Sequence, residues 1–291
     1  MATERSAMLG SENNVLLLHP GEMGQAIGGA LVAAGQAVKW VSEGRSEATR
    51  ARANQAGLTA CSDLSAGIAD ADIIVSVCPP DAAEEQAEAV AAAGFRGLYV
   101  DGNAVAPSTV RRIDGLLSRS GATLVDAGIV GPPPRSAGTT RLYVSGPVAA
   151  EVASLFAGSI VEAVVVGESV GAASAVKMAY AAWTKGSSAL LIAVRALAKS
   201  EGIEDALLAE WDRSQPALLK RDLSGSIAKA WRFASEMHEI SKTFQDNDLP
   251  HGFHAAAADL YEALGPFKDK WDVTLEEALE MLARSANEPG R

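Results

Sequence analysis

The stretch Val15-Leu16-Leu17-Leu18-His19-Pro20-Gly21-Glu22-Met23-Gly24 constrains this chain more than any other. A fully apolar run enters a glycine-rich turn, and a helical spacing of apolar residues (Ile27, Leu31, Val32, Ala34) leaves it. Strand, tight turn and helix in that order open an α/β unit. Such a helix points its first-turn N–H groups and the positive end of its dipole at whatever lies over the turn, which suits a pyrophosphate. The dinucleotide fingerprint G-x-G-x-x-G falls on His19, Gly21 and Gly24, so its first glycine is absent. Gly21, with Glu22 and Met23, supplies the close backbone approach to phosphate, and Gly24 the close packing of helix on strand. An ordinary strand–helix turn is the competing explanation, and the segments that follow weaken it.

Strand and helix patterns alternate through the first half. Ala37–Val41 reads as a strand, Ser46–Ala56 as a helix, and Leu58–Cys61 as a short strand with a helix opening near Ser62 and Asp63. Ile73–Val77 is a buried strand stopped by Cys78-Pro79-Pro80, and the acidic, Ala-rich run Asp81–Ala93 follows as a helix. Leu98–Asp101, a helix opened by Pro107, and Thr123–Asp126 continue the series. A turn-rich segment from Gly128 to Thr140 leads to strands at Leu142–Ser145 and Val164–Val166. This alternation predicts a Rossmann-type, doubly wound parallel sheet over residues 14–167, its ligand at the carboxyl ends of the strands. Beyond Gly167 only helical patterns occur, so an all-helical domain over 168–284, for substrate and dimerisation, is expected. Residues 1–13 read as a disordered lead-in and 285–291 as a tail.

The formal charge of −11, with no basic stretch to offset it, argues against a nucleic-acid partner. No apolar run approaches the roughly 20 residues of a membrane span. The two cysteines, Cys61 and Cys78, lack metal-ligand spacing, and a reducing, cytoplasmic setting is the simple expectation. His251 and His254 stand three apart without an acidic or cysteine partner at metal spacing, so no metal site is expected.

Cofactor choice is read at the end of the second strand, in Val41-Ser42-Glu43-Gly44-Arg45-Ser46. A site for NAD carries an acid there that bonds the ribose 2′-OH. Ser42 occupies that place, with Arg45, Ser46 and Arg50 following; a hydroxyl beside a guanidinium fork suits a 2′-phosphate and favours NADP(H). A shift of one residue would instead present Glu43 to the ribose.

The order of segments resembles the β-hydroxyacid dehydrogenases, relatives of 6-phosphogluconate and 3-hydroxyisobutyrate dehydrogenase, over nearly the full chain. Carrying the resemblance are Gly21-Glu22-Met23-Gly24, Cys78-Pro79-Pro80, Asp101-Gly102-Asn103 with Pro107, Asp126-Ala127-Gly128-Ile129-Val130-Gly131, and Lys177. It is closer to a phosphogluconate-dehydrogenase-like branch whose C-terminal domain has no assigned function. The resemblance implies a catalytic lysine at Lys177 and a homodimer of interlocked helical domains. It also implies a substrate loop at Val130 and Gly131, where the family usually has serine at the position of Val130. The asparagine that usually follows the lysine by four residues is Ala181 here. Imine reductases share this architecture but generally lack the lysine.

Gly171–Lys199 reads as one long, mostly buried helix. Ser174, Lys177, Tyr180, Ala181, Thr184 and Ser188 share one side, and Ala175, Ala179, Ala182 and Gly186 the other. A nearly uncharged polar stripe suits a cavity lining better than a solvent face. Lys177 there can exchange the proton of a hydroxyl during hydride transfer, with Tyr180 one turn away as a second donor. Asn103, at a strand's carboxyl end, suits the nicotinamide ribose. Cys78 reads as a small buried hydrophobe. The aromatic and polar segment Trp231–Glu239, with His238, reads as a packed amphipathic helix or a cleft cover. Thr184, His238, Val130 and Gly131 are the expected substrate-lining residues. Together these readings predict an NADP-dependent oxidoreductase acting on a small carbonyl or β-hydroxy acid. An imine reductase or a non-catalytic dinucleotide-binding protein is the alternative.

Overall fold

The computed structural model describes residues 9–10 and 12–286. The chain divides into two compact units, Met1–Met178 and Ala179–Arg291. The first is an eight-stranded sheet in the order β3-β2-β1-β4-β5-β6-β7-β8. Its strands are β1 Asn14–Leu17, β2 Ala37–Val41, β3 Thr59–Cys61, β4 Ile73–Ser76, β5 Leu98–Asp101, β6 Thr123–Val130, β7 Arg141–Ser145 and β8 Glu162–Gly167. Between them lie α1 Glu22–Ala33, α2 Glu47–Gln55, α3 Leu64–Ile68, α4 Ala83–Ala92, α5 Pro107–Ser120 and α6 Ala149–Ser154. The strands from β3 to β6 are parallel, and β6 meets β7 antiparallel.

Alternation along β1 builds both layers. Val15 and Leu17 join the core with Ile27 and Leu31 of α1, whereas Leu16 and Leu18 join the opposite core with Val90 of α4 and Ile113 of α5. The helices start where the side chains dictate. Ser46 accepts from the N–H of Thr49 (3.3 Å) and Asp63 from that of Ala66 (2.8 Å), while Pro107 opens α5 and Gly121, at φ +92°, ends it. The chain leaves β1 toward β2 on one side and returns to β4 on the other. The crevice between β1 and β4 is therefore the switch point where doubly wound sheets bind ligands.

The sheet departs from the sequence reading in β6. Gly128 and Val130 lie within that strand, because β7 supplies an antiparallel ladder as far as Val130 opposite Arg141. Of the expected lead-in, residues 1–8 and 11 lie outside the described residues. Asn13, its last residue, is buried, and both its N–H and its side-chain amide donate to Oε1 of Gln36, at 3.0 and 2.8 Å.

The second unit is helical: α7 Ala172–Ser200, which begins in the first unit, then α8 Glu204–Ser214, α9 Pro216–Leu219, α10 Ser224–Ala228, α11 Ala230–Gln245, α12 Gly252–Ala263 and α13 Leu275–Ala286. Phe233 meets Tyr261 edge-on at 5.5 Å and Phe244 meets His254 at 4.3 Å, so α11 and α12 run antiparallel. The expected tail from 285 starts inside α13, and residues 287–291 lie outside the described residues.

Candidate functional site

The turn after β1 is built for a close approach. Gly21 caps α1 in an extended conformation with no side-chain cap, and a Cβ placed there would meet nothing within 4 Å. The turn therefore has room beside Gly21 at the N-terminus of α1, where a phosphate can approach a helix closely. A Cβ on Gly24 would overlap the carbonyl oxygen of His19, so only glycine lets α1 cross the end of β1 this closely. Glu22 is exposed, and Met23 packs against the core. His19 is not among the residues with positive φ, which explains why this turn dispenses with the first glycine.

The loop after β2 turns at Gly44 (φ +66°). The Ser42 hydroxyl donates to the carbonyl of Cys61 (2.8 Å), and Arg50 donates to the carbonyl of Ser42 (2.8 Å). Ser46 is the cap of α2. Arg45 reaches back to β1, its Nη1 3.0 Å from Nε2 of His19 and its Nη2 3.4 Å from Nδ1. Burial, and then the charge of Arg45, hold His19 at about 4, so its ring is neutral near pH 7.

At the ends of β4 and β5, Asn103 is a clamp. Its Oδ1 accepts from the N–H of Cys78 (2.7 Å), and its Nδ2 donates to Ser76 Oγ and Asp101 Oδ2, both at 3.1 Å. Both amide hydrogens are thus committed inside the protein, and what Asn103 presents outward is the backbone of Cys78-Pro79-Pro80. Burial pushes the Cys78 thiol up to about 12 and keeps it unreactive. The fully buried Asp101 is raised to about 7, chiefly by burial, with the charge of Asp126 adding to it.

Asp126 organises the start of α7. Its Oδ2 accepts from Ser145 Oγ (3.0 Å) and from the N–H groups of Gly171 (2.9 Å) and Ser174 (3.0 Å). Its Oδ1 accepts from Ser174 Oγ (2.6 Å). Ser174, read from the sequence as part of a cavity stripe, is instead buried in this cap. Gly128 lets the helix seat: a Cβ there would lie 2.6 Å from the Ala173 carbonyl oxygen and 3.0 Å from Cβ of Lys177. Lys177 thus stands directly over β6. Val130 is buried and apolar, and Gly131, at φ +118°, turns the chain away where a Cβ would overlap the Thr139 carbonyl.

The remaining candidates lie in the second unit. Tyr180 is exposed, and its carbonyl accepts from Thr184 Oγ1 at 3.1 Å. Ala181 is fully buried. His238 is exposed and lies 2.9 Å from Glu262. Sequence reading missed Arg221, which donates to Thr184 O (3.2 Å), Ser187 Oγ (2.9 Å) and Ser188 Oγ (2.8 Å). It also missed the shielded pair of Lys185 and Glu236 at 2.6 Å. Among the described residues no cluster of His, Cys, Asp and Glu is arranged to hold a metal ion, and no helix is long and apolar enough to cross a membrane.

A sheet switched between β1 and β4, an open helix N-terminus and a glycine that admits it define a dinucleotide-binding protein of the Rossmann type. The chain belongs to the family of the NAD binding domain of 6-phosphogluconate dehydrogenase, which matches residues 18–178, and residues 198–264 match a domain of unknown function (DUF1932). It is 26% identical to a conserved hypothetical protein from Sinorhizobium meliloti 1021 (TM-score 0.67, covering 97% of this chain and 99% of that one). The 3-hydroxyisobutyrate dehydrogenase of Mycobacterium tuberculosis, 17% identical, shares the fold (TM-score 0.68, 93% and 99% covered). So does the reductive aminase of Aspergillus terreus in complex with NADPH, 19% identical (TM-score 0.54, 86% and 93% covered). The fold is thus that of NAD(P)-dependent hydroxyacid dehydrogenases and imine reductases.

Proposed function

We propose that this protein is an NADP-dependent oxidoreductase that moves a hydride between nicotinamide and a small carbonyl or β-hydroxy acid, with Lys177 as general acid and base. The observation that carries this reading is the seat of Lys177: Asp126 caps its helix and Gly128 admits it against β6, one turn beyond Ser174. The open turn at Gly21 fits a pyrophosphate, to be held by the N–H groups of Gly21, Glu22, Met23 and Gly24. Arg45, with Ser42 and Ser46 beside it, takes the 2′-phosphate, and the Cys78-Pro79-Pro80 backbone, set by Asn103, borders the nicotinamide half. The bound dinucleotide supplies the hydride. Lys177 gives the carbonyl oxygen its proton as that oxygen gains charge, and removes it in the reverse direction; Tyr180 is the second proton donor.

Val130, Gly131, Thr184 and His238 are the proposed substrate contacts. Val130 and Ala181 are buried carbon where the family resemblance implies serine and asparagine, so the substrate contacts differ from the usual hydroxyacid pattern; an imine reductase is the second reading, with Lys177 counting against it. We place the protein in the cytoplasm as a homodimer whose residues 168–284 form the substrate and dimerisation domain. The apolar face of α7 supports the dimer: Trp183 is 76% exposed, and with Ala179, Leu190 and Phe253 it lines a groove of about 380 Å³.

The test is single-turnover oxidation of bound NADPH on a panel of carbonyls and imines. Lys177→Met, which keeps the stem and loses the charge, should lower the rate by on the order of 10²–10⁴ with cofactor affinity unchanged. A variant that keeps more than about half the rate removes Lys177 from the mechanism and favours the imine reading.

A further inference from the structure

Arg45 is a half-buried cation whose partners are all neutral. Its guanidinium lies at 3.0 and 3.4 Å from the two ring nitrogens of His19 and at 3.5 Å from the carbonyl of Leu18, and it makes no ion pair among the described residues. Arg50, five residues on, is different: it has Glu47 at 3.9 Å and the Ser42 carbonyl at 2.8 Å. A guanidinium that is partly withdrawn from water and lacks a counter-anion is a site for one. An arginine side chain also has many rotamers, and fixing it costs conformational entropy unless something already holds it. His19 does this. The position where the fingerprint has its permissive glycine carries instead a side chain that reaches the Arg45 fork.

We propose that His19 is a positioning residue for cofactor discrimination: its imidazole accepts from Arg45 and holds the guanidinium ready for the 2′-phosphate of NADP(H). The proposal rests on the NADP reading above. The turn supports it, because position 19 does not need glycine's backbone freedom and is therefore open to a side chain with another task. Charge supports it too. His19 is neutral near pH 7, so it offers Arg45 a lone pair without adding a second cation to repel it. A neutral ring does not neutralise the guanidinium, so the full positive charge remains for the phosphate. A carboxylate at position 19 would hold Arg45 equally well and cancel that charge.

The experiment compares affinities for NADPH and NADH by nicotinamide fluorescence in the wild type, His19→Gly, His19→Gln, Arg45→Ala and the double variant His19→Gly/Arg45→Ala. NADH affinity serves as the check that the turn still folds. The wild type should prefer NADPH by about tenfold or more, equivalent to about 1.4 kcal/mol. Arg45→Ala should lose that preference. His19→Gly should lose most of it with Arg45 still present, and the double variant should be no worse than Arg45→Ala alone. His19→Gln, whose side-chain oxygen still accepts, should retain most of it. The same comparison with 2′,5′-ADP and 5′-AMP isolates the phosphate from the nicotinamide half. If the wild type discriminates and Arg45→Ala does not, but His19→Gly keeps the full preference, the positioning role is overturned while the NADP reading stands. Equal wild-type affinities for the two cofactors overturn both.

Discussion

Removing the Asp126 carboxylate tests how the helix that carries Lys177 is held. Asp126 is fully buried and accepts from two backbone N–H groups and two hydroxyls. Alanine leaves the N–H groups of Gly171 and Ser174 with no acceptor, at about 1–3 kcal/mol each, whereas the two serine hydroxyls can rotate toward other oxygens. Removing a buried negative charge near Asp101 gives part of this back, since Asp101 and Asp126 sit opposite each other on β5 and β6. The net expectation for Asp126→Ala is a loss of about 3 kcal/mol, or about 10 °C in Tm for a unit of this size. Asp126→Asn keeps an oxygen for three of the donors and lets the Ser174 hydroxyl turn to accept from the new amide. Its loss is the charge assistance alone, about 1–2 kcal/mol. Urea titration followed by circular dichroism measures both. Because Lys177 begins the next turn after Ser174, the alanine variant should also lose single-turnover rate. An alanine variant within about 1 kcal/mol of wild type refutes the reasoning, because the two N–H groups must then have found other partners.

The Asp101 carboxyl is raised from 3.8 to about 7, so the folded state holds its proton more tightly than the unfolded chain. Its contribution to stability is complete below the unfolded value and is lost as pH rises through about 7; the urea midpoint should fall between pH 5 and 8, less steeply in Asp101→Asn, and parallel profiles would exclude Asp101 as the cause. Gly24→Ala should cost more than about 2 kcal/mol and abolish cofactor binding, because its methyl overlaps the His19 carbonyl; thermal melting and NADPH titration check this, and a wild-type melt counts against the close crossing. Trp183→Lys should leave a monomer in light scattering at micromolar concentration, where the wild type is expected as a dimer, since it puts a charge into the exposed apolar face of α7; a variant that stays dimeric shows that the interface lies elsewhere.

What was legible in the sequence was local. Val15 to Leu18 could be read as a two-sided strand because four consecutive apolar residues can all be buried only between two layers, and the structure buries them between α1 on one face and α4 and α5 on the other. Gly21 and Gly24 could be read from their spacing, since phosphate approach and helix crossing are properties of one turn. The reading failed wherever a distant partner decides. Gly128 looked like the start of a turn because glycine is poor in strands, yet β7 provides its ladder and α7 needs its missing side chain.

Ser174 shows the limit most sharply. Helical periodicity correctly places it on the same side as Lys177, but periodicity says only which residues share a face, not what that face meets. The answer depends on Asp126, 48 positions earlier, whose carboxylate takes Ser174 into the cap and leaves Lys177 as the next residue of the stripe. His19 and Arg45 make the same point from the opposite direction. Only His19 was visible as a departure, standing in place of a glycine and weakening the fingerprint, whereas Arg45 was read from its place after Ser42 as a candidate for the 2′-phosphate. Across 26 positions they meet at 3.0 Å, so the residue that breaks the motif is the one that touches the candidate phosphate ligand. A substitution that spoils a motif is therefore informative when a residue at the end of the neighbouring strand supplies its partner.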